Sequence, residues 1–439
     1  CSQYSVKEGS NLSSTIQKQL NSIVNTQQVS ISRINFESFL SRFSQYVDSI
    51  GNNYDQENAV YLTSFINACN VVGVSCTESS STLTENGFRT FDVAIIDEVS
   101  KATPPEILLP LLISRKAILV GDHRQLPPLF GEHFNSYQEC LQELDSNDVA
   151  AKKLLTTSNY NKFEELVTNS LFKKHYERAA HSNKGALTIQ YRMHHEIMDV
   201  VNLFYNGILQ SGYSPEQENE IKKHYACIKD TAGYLDVISP NHHAYWVDTS
   251  DFNDHHVYEQ TKGTSKFNPF EARTIVEIVK QIETAYEESG QTSVDVGIIS
   301  FYAEQVRQIR SLIKQECNLK VVKCDINTVD RFQGKEKSIV IVSLVRNVPV
   351  GSRYDASFVK DYRRINVAMS RAQALLLIVG AKEMYDSQDI VIEDMENGKE
   401  LPPRKIYNNI IANLVMNGCF VRADSIVDID YESDILGKR

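Results

Sequence analysis

The sequence lacks several features that define large classes of protein. None of its apolar runs reaches the roughly 18 residues of a transmembrane helix. No basic segment followed by an apolar stretch opens the chain, so no signal peptide is recognised. None of its eight cysteines forms a C-x-x-C pair, which argues against a zinc site of the finger or ribbon type. These absences leave the large class of globular proteins without a membrane span.

The cysteines and the charge narrow this class further. Cysteines scattered through a chain of this length predict buried free thiols in a reducing compartment. We therefore expect an intracellular protein, cytoplasmic or, in a eukaryote, nuclear. The net charge of −11 argues against a protein that coats nucleic acid through bulk charge. A local basic groove is still compatible with it, because binding depends on the charge near the phosphates.

Hydrophobic patterning predicts an α/β protein. The 439 residues favour two or three domains. Apolar residues at helical spacing predict helix over 36–68, and the composition of 131–185 is also helix-biased. Polar loops are expected at 211–222 and 250–268. Short apolar runs indicate strands buried on both faces, as in a parallel sheet. These runs are 71–74, 93–96, 117–120, 187–189, 245–247, 296–299, 339–342 and 375–379.

Two of the predicted strands end in polar residues suited to phosphate chemistry. Asp97 and Glu98 follow the run 93–96, at the strand end where α/β sheets bind ligands. An Asp there can hold Mg²⁺, and a neighbouring Glu can orient or deprotonate water. After the next run, Gln125 supplies an amide that can contact a phosphate. The alternative is a pair of ordinary turns, but two such strand ends favour neighbouring strands that face one site.

Two later clusters also join strands to polar side chains. Arg192 lies in a Q-Y-R-M segment, and an Arg at such a junction can reach a phosphate in a facing domain. The alternative is an ordinary pair with a surface acid. In the segment 328–336, Gly334 allows a tight backbone turn and Glu336 can accept hydrogen bonds from a ribose.

A fifth cluster spans residues 363–372. Apolar residues recur at i, i+3, i+4 and i+7 from Ile365 to Ala372 and predict one buried helix face. Arg364 and Arg371 are seven residues apart and so share another face. Two guanidinium groups on one exposed stripe suit contact with a polyanion. The alternative is a basic face that is simply solvated.

The order of these five clusters resembles that of superfamily 1 helicases of the up-frameshift and senataxin-like branch. The resemblance covers about residues 70–390. It implies two tandem RecA-like parallel-sheet domains joined by a helical connector, the first over 1–180, incomplete and with helical insertions, and the second over 181–439. It also implies an ATP- and Mg²⁺-dependent motor that moves on single-stranded DNA or RNA. The matching motifs are 97–106, 121–128, 190–193, 329–336 and 364–372.

The resemblance assigns catalytic roles to single residues. Glu98 is the implied base for hydrolysis, and Asp97 is the implied Mg²⁺ ligand, acting through water. Gln125 is expected to contact the γ-phosphate. Arg192 and Arg371 are expected to reach it as arginine fingers, which stabilise charge in phosphoryl transfer.

The resemblance also implies contacts with the rest of the nucleotide, which would lie in a cleft between the two domains. Tyr191 is expected to stack on the base and Glu336 to bind the ribose. Gly334 and Arg364 belong to the same expected cofactor-binding set.

The chain departs from the family pattern at one point. No phosphate loop of the form G-x-x-x-x-G-K-[ST] occurs, and the first residue is Cys rather than Met. We therefore expect an N-terminally truncated chain that is inactive by itself. The alternatives are a decayed, ATPase-dead nucleic-acid-binding or scaffold protein, and a nuclease–helicase whose nuclease lies elsewhere. A decayed motor is expected to lose its catalytic residues, so the presence of Glu98, Gln125, Arg192 and Arg371 favours truncation.

Overall fold

The computed structural model describes residues 41–42, 69–76, 90–126, 156, 158–159, 171–349, 351–354, 357–394 and 399–428. The chain forms two compact units. The first comprises Cys1–Ile96 and Pro105–Ile118, and the second comprises Asp97–Pro104 and Leu119–Arg439.

In the first unit, strand β1 (Phe91–Ile96) pairs with strand β2 (Ser114–Leu119, whose last residue belongs to the second unit). Helix α1 (Pro104–Leu112) lies between them in the chain. The strands predicted at 93–96 and 117–120 are therefore confirmed. Their predicted burial on both faces is wrong, since Ile95 is 70% and Ile118 is 53% exposed. In the described part of the chain each strand has only the other as a neighbour, whereas burial on both faces requires covering layers.

Two predicted strands are wrong in whole or in part. Residues 71–74 form no strand, and Val71 is 87% exposed. The run 187–189 contributes only its last residue to a strand, and Leu187 is 92% exposed. An apolar run becomes a strand only where a neighbouring strand satisfies its backbone groups, and the run itself does not encode that neighbour.

Some predictions concern residues outside the described part of the chain. Of the helix predicted over 36–68, only Ser41 and Arg42 are described, and both are helical. The predicted helix-biased segment 131–185 is described mainly from residue 171 onward.

The second unit holds most of the described structure. Its strands are β3 (Ile189–Gln190), β4 (Gln210–Ser211), β5 (Ile228–Lys229), β6 (Asp236–Ile238), β7 (Ala244–Asp248), β8 (Asp251–Phe252), β9 (His255–His256), β10 (Gln260–Lys262), β11 (Ser265–Phe267), β12 (Val294–Ser300), β13 (Val322–Thr328), β14 (Lys337–Ser343), β15 (Ala372–Gly380) and β16 (Phe420–Arg422).

Helices and short 3-10 turns separate these strands. The helices are α2 (Leu171–Arg178), α3 (His195–Asn202), α4 (Pro215–Ile221), α5 (Pro269–Glu288), α6 (Ala303–Glu316), α7 (Val329–Phe332), α8 (Ser357–Lys360), α9 (Tyr362–Met369), α10 (Lys382–Tyr385) and α11 (Ile406–Met416). The 3-10 turns are His181–Asn183, Leu203–Tyr205 and Ala423–Ser425.

A six-stranded, all-parallel sheet forms the centre of the second unit. Its strand order is β13-β12-β14-β15-β7-β16. Ile298 on β12 lies between Ile326 on β13 and Ile341 on β14 in register, and the Ile298 and Ile341 side chains are fully buried. Such continuous apolar strands are typical of parallel sheets covered on both faces. The predicted strands at 245–247, 296–299, 339–342 and 375–379 are confirmed, and so is the α/β class.

Helix α5 shows how the sequence sets the ends and the buried face of an element in this unit. Asn268 caps its start by accepting a hydrogen bond from the Glu271 N–H (3.1 Å), and Pro269 occupies the first helical position. Its apolar residues recur at helical spacing, and the helix packs against β13, β14 and β15. The helix therefore covers one face of the sheet.

The predicted exposed loop at 250–268 is wrong. The segment forms two hairpins, β8–β9 and β10–β11, and Phe252 and Val257 are buried. Asn253 and Asp254 connect β8 to β9, both with positive φ (46° and 66°). An Asn-Asp pair of this kind is a turn signal that favours a two-residue hairpin, so this signal was present in the sequence.

The predicted loop at 211–222 is also wrong, since it contains helix α4. Ser214 caps this helix by accepting from the Gln217 N–H, and the Gln217 side chain in turn accepts from the Ser214 N–H. This capping box is visible in the sequence as S-x-x-Q. Glu218, which a surface loop would expose, is 3% exposed.

Strands β13 and β16 were not predicted. On β13 the polar residues Lys323, Asp325 and Asn327 alternate with apolar ones, so the continuous apolar signal is absent. The strand lies at the edge of the sheet, where one side meets solvent. The cysteine prediction is correct for Cys419, which is buried. It is wrong for the other described cysteines, which are half-buried: Cys69, Cys76, Cys227, Cys317 and Cys324.

Among the described residues, no helix combines the length and apolar character that a membrane span needs.

A buried carboxyl group holds the loop that follows β14. Glu271 Oε2 accepts hydrogen bonds from Ser343 Oγ (2.7 Å) and from the Val345 N–H (2.9 Å). Val345 has a φ of 69°, a left-handed conformation that β-branched residues rarely adopt. Burial raises the pKa of Glu271 to about 8, although these hydrogen bonds oppose the shift. Glu271 is therefore largely protonated at neutral pH.

This pKa predicts a pH-dependent stability. Because the folded-state pKa exceeds the unfolded value of about 4.3, the native state keeps a proton that the unfolded chain has lost. The stability that protonated Glu271 contributes is complete below the unfolded-state pKa and is lost as the pH rises toward 8. We expect Glu271→Gln to gain stability relative to the wild type between about pH 5 and pH 8, by up to about 1.4 kcal/mol per pH unit. Urea unfolding followed by fluorescence of the single tryptophan, Trp246 on β7, measures this difference.

Glu283 on the same helix is a matched control. Burial alone would raise its pKa, but hydrogen bonds from the Lys320, Val322 and Val321 N–H groups outweigh burial and lower it. Its contribution is therefore already complete above about pH 5 and is lost only in acid. Glu283→Gln should shift stability by a constant amount over the same range. Equal pH profiles for the wild type and Glu271→Gln would contradict the prediction.

Candidate active site

The turn after β1 presents two carboxylates. Asp97 Oδ1 accepts a hydrogen bond from the Glu98 N–H (2.8 Å), and Glu98 O accepts one from the Lys101 N–H (3.0 Å). Glu98 has a φ of 52°, a strained conformation of the kind that clusters at functional sites. Both side chains are exposed, so an ion or water can reach them.

The segment after β2 lies beside this turn. The Val99 N–H donates to Val120 O (3.0 Å), and the Asp122 N–H donates to Ser100 Oγ (3.3 Å). A Cβ at Gly121 would lie 2.9 Å from the Ser100 nitrogen, so only glycine allows this approach. The two strand ends are therefore side by side, as predicted.

Asp122 is the centre of a hydrogen-bond network. Its Oδ1 accepts from the Arg124 N–H (2.9 Å), and its Oδ2 accepts from Gln125 Nε2 (3.1 Å) and from the Tyr205 hydroxyl. Tyr205 Oη also accepts from Asn366 Nδ2 (2.9 Å). Burial first, and then Asp122, raise the pKa of Tyr205 well above 10, so its hydroxyl stays a donor. The network orients the Gln125 amide.

Arg371 corrects the prediction for residues 363–372. Helix α9 ends at Met369, so Ala372 begins β15 and Arg371 follows the helix instead of sharing a face with Arg364. Arg371 is 1% exposed, which overturns the predicted exposed stripe. The seven-residue spacing describes one face only while the helix continues.

The buried Arg371 guanidinium is held by several acceptors. Its Nε donates to Val367 O (3.0 Å), and its Nη1 donates to Lys335 O (3.4 Å). Its Nη2 donates to Gln125 Oε1 (3.2 Å) and to Ser370 Oγ (3.1 Å). Arg371 thus contacts Gln125 directly, and the structure brings these two predicted site residues together.

Electrostatics link Arg371 to two more of the predicted residues. Burial first, and then the nearby charge of Arg192, lower its pKa to about 10. Glu98, Tyr205 and Asp122 oppose this shift. The group stays protonated at neutral pH, and Glu98 and Arg192 both lie within its electrostatic reach.

Arg192 pairs with Glu336. Its Nε donates to Glu336 Oε2 (2.9 Å), and Gln373 Nε2 donates to Glu336 Oε1 (2.9 Å). Gln190 shapes the turn, because its Oε1 accepts from the N–H groups of both Arg192 and Met193 (2.9 Å each). An acid partner for Arg192, the alternative from the sequence, is therefore present, and that acid is itself a predicted site residue.

The remaining predicted residues are neighbours of these in the sequence. Tyr191 precedes Arg192, Gly334 precedes Glu336, and Arg364 lies on α9 before Arg371. Tyr191 is 59% exposed and meets the Tyr213 ring edge-on at 5.4 Å between centroids. Gly334 has a φ of 82° in a turn that the Lys335 N–H closes onto Phe332 O (3.0 Å), as predicted for a tight turn. Arg364 forms an ion pair with Asp361, the residue that caps the start of its helix (3.3 Å).

Sequence reasoning gave no role to three residues that support this site. Tyr205 carried no motif signal. Asn366 is a buried amide among the apolar residues of α9, and it donates to Arg124 O (3.0 Å) as well as to Tyr205. Arg124 is fully buried and donates to the backbone oxygens of Phe204 and Glu393. Only the polar residue inside an apolar helix pattern, Asn366, was visible in the sequence.

The sequence matches family models and curated relatives. Two family models, each described as an AAA domain, match residues 3–131 and 167–383. The chain is 32% identical over 309 residues to the DNA replication ATP-dependent helicase/nuclease DNA2 of Bos taurus, covering 66% of this chain and 25% of that protein. It is 31% identical over 314 residues to an uncharacterized ATP-dependent helicase of Methanocaldococcus jannaschii, covering 70% of this chain and 38% of that protein. The chain thus spans between a quarter and two fifths of the length of these relatives.

Among solved structures, the chain is similar to the arterivirus nonstructural protein 10 helicase, at 12% identity and a TM-score of 0.26, covering 74% of this chain and 56% of that one. A complex of that helicase with DNA matches at a TM-score of 0.25, with 12% identity and coverage of 74% and 57%. The assignment below rests on the family models and the sequence relatives.

The chain belongs to the superfamily 1 helicases, in the branch of the up-frameshift-like and Dna2-like proteins. The resemblance inferred from the order of the motifs is confirmed.

The Asp122 network predicts a measurable cost for one hydroxyl group. Tyr205→Phe removes a donor to Asp122 and an acceptor for Asn366 in a buried site. We expect a loss of about 1–3 kcal/mol in the free energy of unfolding. Urea unfolding followed by Trp246 fluorescence measures this loss. Tyr213→Phe is the control, because its hydroxyl donates to Tyr191 O in an exposed contact (2.8 Å) and should contribute less than about 0.5 kcal/mol. Equal losses for the two variants would refute this role of Tyr205.

Proposed function

We propose that these residues are the motor core of an ATP-dependent helicase or translocase that moves on single-stranded nucleic acid. The observation that carries the proposal is the group formed by Arg371, Gln125, Arg192 and Glu98. The buried Arg371 guanidinium donates a hydrogen bond to the Gln125 side-chain oxygen. The Arg192 guanidinium and the Glu98 carboxylate lie within electrostatic reach of Arg371. The proposed RecA-like domains are 1–180, which supplies Glu98 and Gln125, and 181–439, which supplies the arginines.

The charged and polar groups of this site fit a nucleoside triphosphate with Mg²⁺. Arg192 lies close enough to Arg371 to lower its pKa. Two guanidinium groups this close favour binding of a polyanion against both. The exposed Asp97 carboxylate suits Mg²⁺, which binds carboxylate, water and phosphate oxygens. When bound, the metal neutralises phosphate charge. Asp97 is proposed to hold it through water.

The residues of this chain then divide the chemistry. Glu98 accepts the proton of the attacking water, and its turn directs the carboxylate to solvent. Gln125 is oriented by Asp122 and Arg371, and contacts the γ-phosphate. Arg371 and Arg192 stabilise the charge that develops on the transferred group.

The nucleoside is proposed to lie against the Arg192 turn. Tyr191 has an exposed ring on which a base can stack. Glu336 keeps lone pairs for a ribose hydroxyl although Arg192 and Gln373 each bond one of its oxygens. Gly334 gives the turn before Glu336 its shape. Arg364 completes the proposed nucleotide-binding set.

The nucleic acid is proposed to be single-stranded DNA or RNA. The name of the Bos taurus relative points to DNA, since it describes a DNA replication helicase/nuclease. A nuclease activity in the whole protein is not part of the proposal. Stimulation of ATP hydrolysis by matched single-stranded DNA and RNA oligonucleotides decides between the two substrates.

We expect Glu98→Gln in the whole protein to reduce the turnover number for ATP by about 10²–10⁴-fold, because it removes the base and preserves the shape. Nucleotide affinity should stay within about threefold, since the carboxylate is not proposed to hold the phosphates. Nucleic-acid-stimulated phosphate release and binding of a fluorescent nucleotide measure the two effects. Glu220→Gln, an exposed acid on α4, is the control for the loss of one charge.

Normal turnover in Glu98→Gln would refute the assigned base. Absence of any stimulated ATPase in the whole wild-type protein would favour the alternative of an ATPase-dead binding or scaffold protein.

For residues 1–439 alone we expect weak nucleotide binding and no turnover, because they contain no phosphate loop. Phosphate release by purified 1–439 with and without single-stranded DNA checks this expectation. Clear hydrolysis that Glu98→Gln abolishes would overturn it.

A further inference from the structure

A cluster of imidazole and carboxylate groups lies just after the Arg192 turn. His195 Nδ1 lies 2.5 Å from Glu218 Oε2, and His194 Nε2 lies 3.9 Å from the same oxygen. His194 and His195 begin α3, whereas Glu218 belongs to α4, so the cluster joins two elements. The nucleotide chemistry proposed above uses none of these residues.

One ring in the cluster is held in place but leaves a polar atom unsatisfied. His194 is 2% exposed, and its Nε2 is buried without a hydrogen-bond partner. The His243 ring stacks on it at 3.4 Å between centroids with an angle of 16°. The backbone N–H of His194 donates to Gln373 O (2.9 Å) and fixes the chain that carries the ring. The Nε2 atom of this ring lies 3.9 Å from the buried Glu218 carboxylate, a separation that one metal ion can bridge, and the Asn219 side chain is also within reach of the ring.

Glu218 is a buried carboxylate, and the charge of Lys222 lies within its electrostatic reach. Its side chain is 4% exposed, and Oε1 accepts a hydrogen bond from Ser211 Oγ (2.9 Å). Among the described residues its ion-pair partners are His194 and His195, without a lysine or arginine. A buried carboxylate is costly unless it is paired or bound to a metal.

We propose that His194, His195 and Glu218 bind one divalent transition-metal ion, with Zn²⁺ as the ion of choice. Two imidazoles and a carboxylate are a common zinc ligand set, with a fourth position left for water or another side chain. His195 is half-exposed, so the ion has an entry path from solvent.

Binding has a defined structural consequence. His194 Nδ1 accepts a long hydrogen bond from the Glu196 N–H (3.3 Å), which places the ring proton on Nε2 in the metal-free state. Coordination through Nε2 moves this proton to Nδ1 and gives up that contact. The bound metal joins the start of α3 to α4. The Tyr213 hydroxyl, just before α4, donates to Tyr191 O (2.8 Å), so the ion also fixes the turn that carries Tyr191 and Arg192.

The test is metal titration of untagged, chelator-treated 1–439. We expect one Zn²⁺ per chain by calorimetry, and one Co²⁺ whose visible spectrum shows nitrogen and oxygen ligands. His195→Ala should weaken binding by more than the roughly 10–100-fold that loss of a mere supporting residue costs. This side chain is half-exposed, so its removal should leave the fold intact. Glu218→Gln should have the same effect, with folding checked by circular dichroism.

His256→Ala is the matched control. His256 is another half-exposed histidine, with Nδ1 2.7 Å from Asp251 Oδ1, but its pair lies outside the cluster. It should bind Zn²⁺ as the wild type does. Absence of saturable binding would overturn the proposal and leave a hydrogen-bonded cluster only. Binding unchanged in His195→Ala, or lost equally in His256→Ala, would also overturn it.

Discussion

A buried positive charge organises the candidate site. Arg371 lies inside the second unit, and a guanidinium there is stable only if its N–H groups find acceptors. Those acceptors come from the end of α9, from Lys335 before β14, and from Gln125. Satisfying one charge therefore requires three distant segments of the chain to meet, and Gln125 is oriented as part of that arrangement.

Asp122 supports the same arrangement from the other side. It receives hydrogen bonds from Gln125 and Tyr205, and Asn366 connects Tyr205 to the Arg124 backbone. Because most of these groups are buried, each is expensive to leave unpaired, and the network resists displacement of any one member. Such preorganisation is what phosphoryl transfer requires, since positioning and electrostatics supply most of its catalysis.

The Arg192 turn is held at two points. Gln190 and Glu336 fix the arginine itself, and the histidine cluster begins at the next helix, two residues further on. This places a proposed arginine finger between a described ion pair and a proposed metal site. Family membership and the α/β fold are established for this chain. The matched region spans between a quarter and two fifths of the length of the relatives, and the activity is a proposal.

The sequence by itself determined the family, the α/β class and the central strands. The order of the motifs can be read from the sequence without tertiary information. Strands buried on both faces appear in it as unbroken apolar runs at 296–299, 339–342 and 375–379. It also marked the hairpin at Asn253-Asp254 and the capping box at Ser214, signals that were missed. Only tertiary structure decided that Arg371 is buried, that 71–74 is not a strand, and that Tyr205 and Glu218 contact their partners. These outcomes depend on which distant segment satisfies a charge, a backbone group or a hydroxyl, and no local pattern encodes that partner.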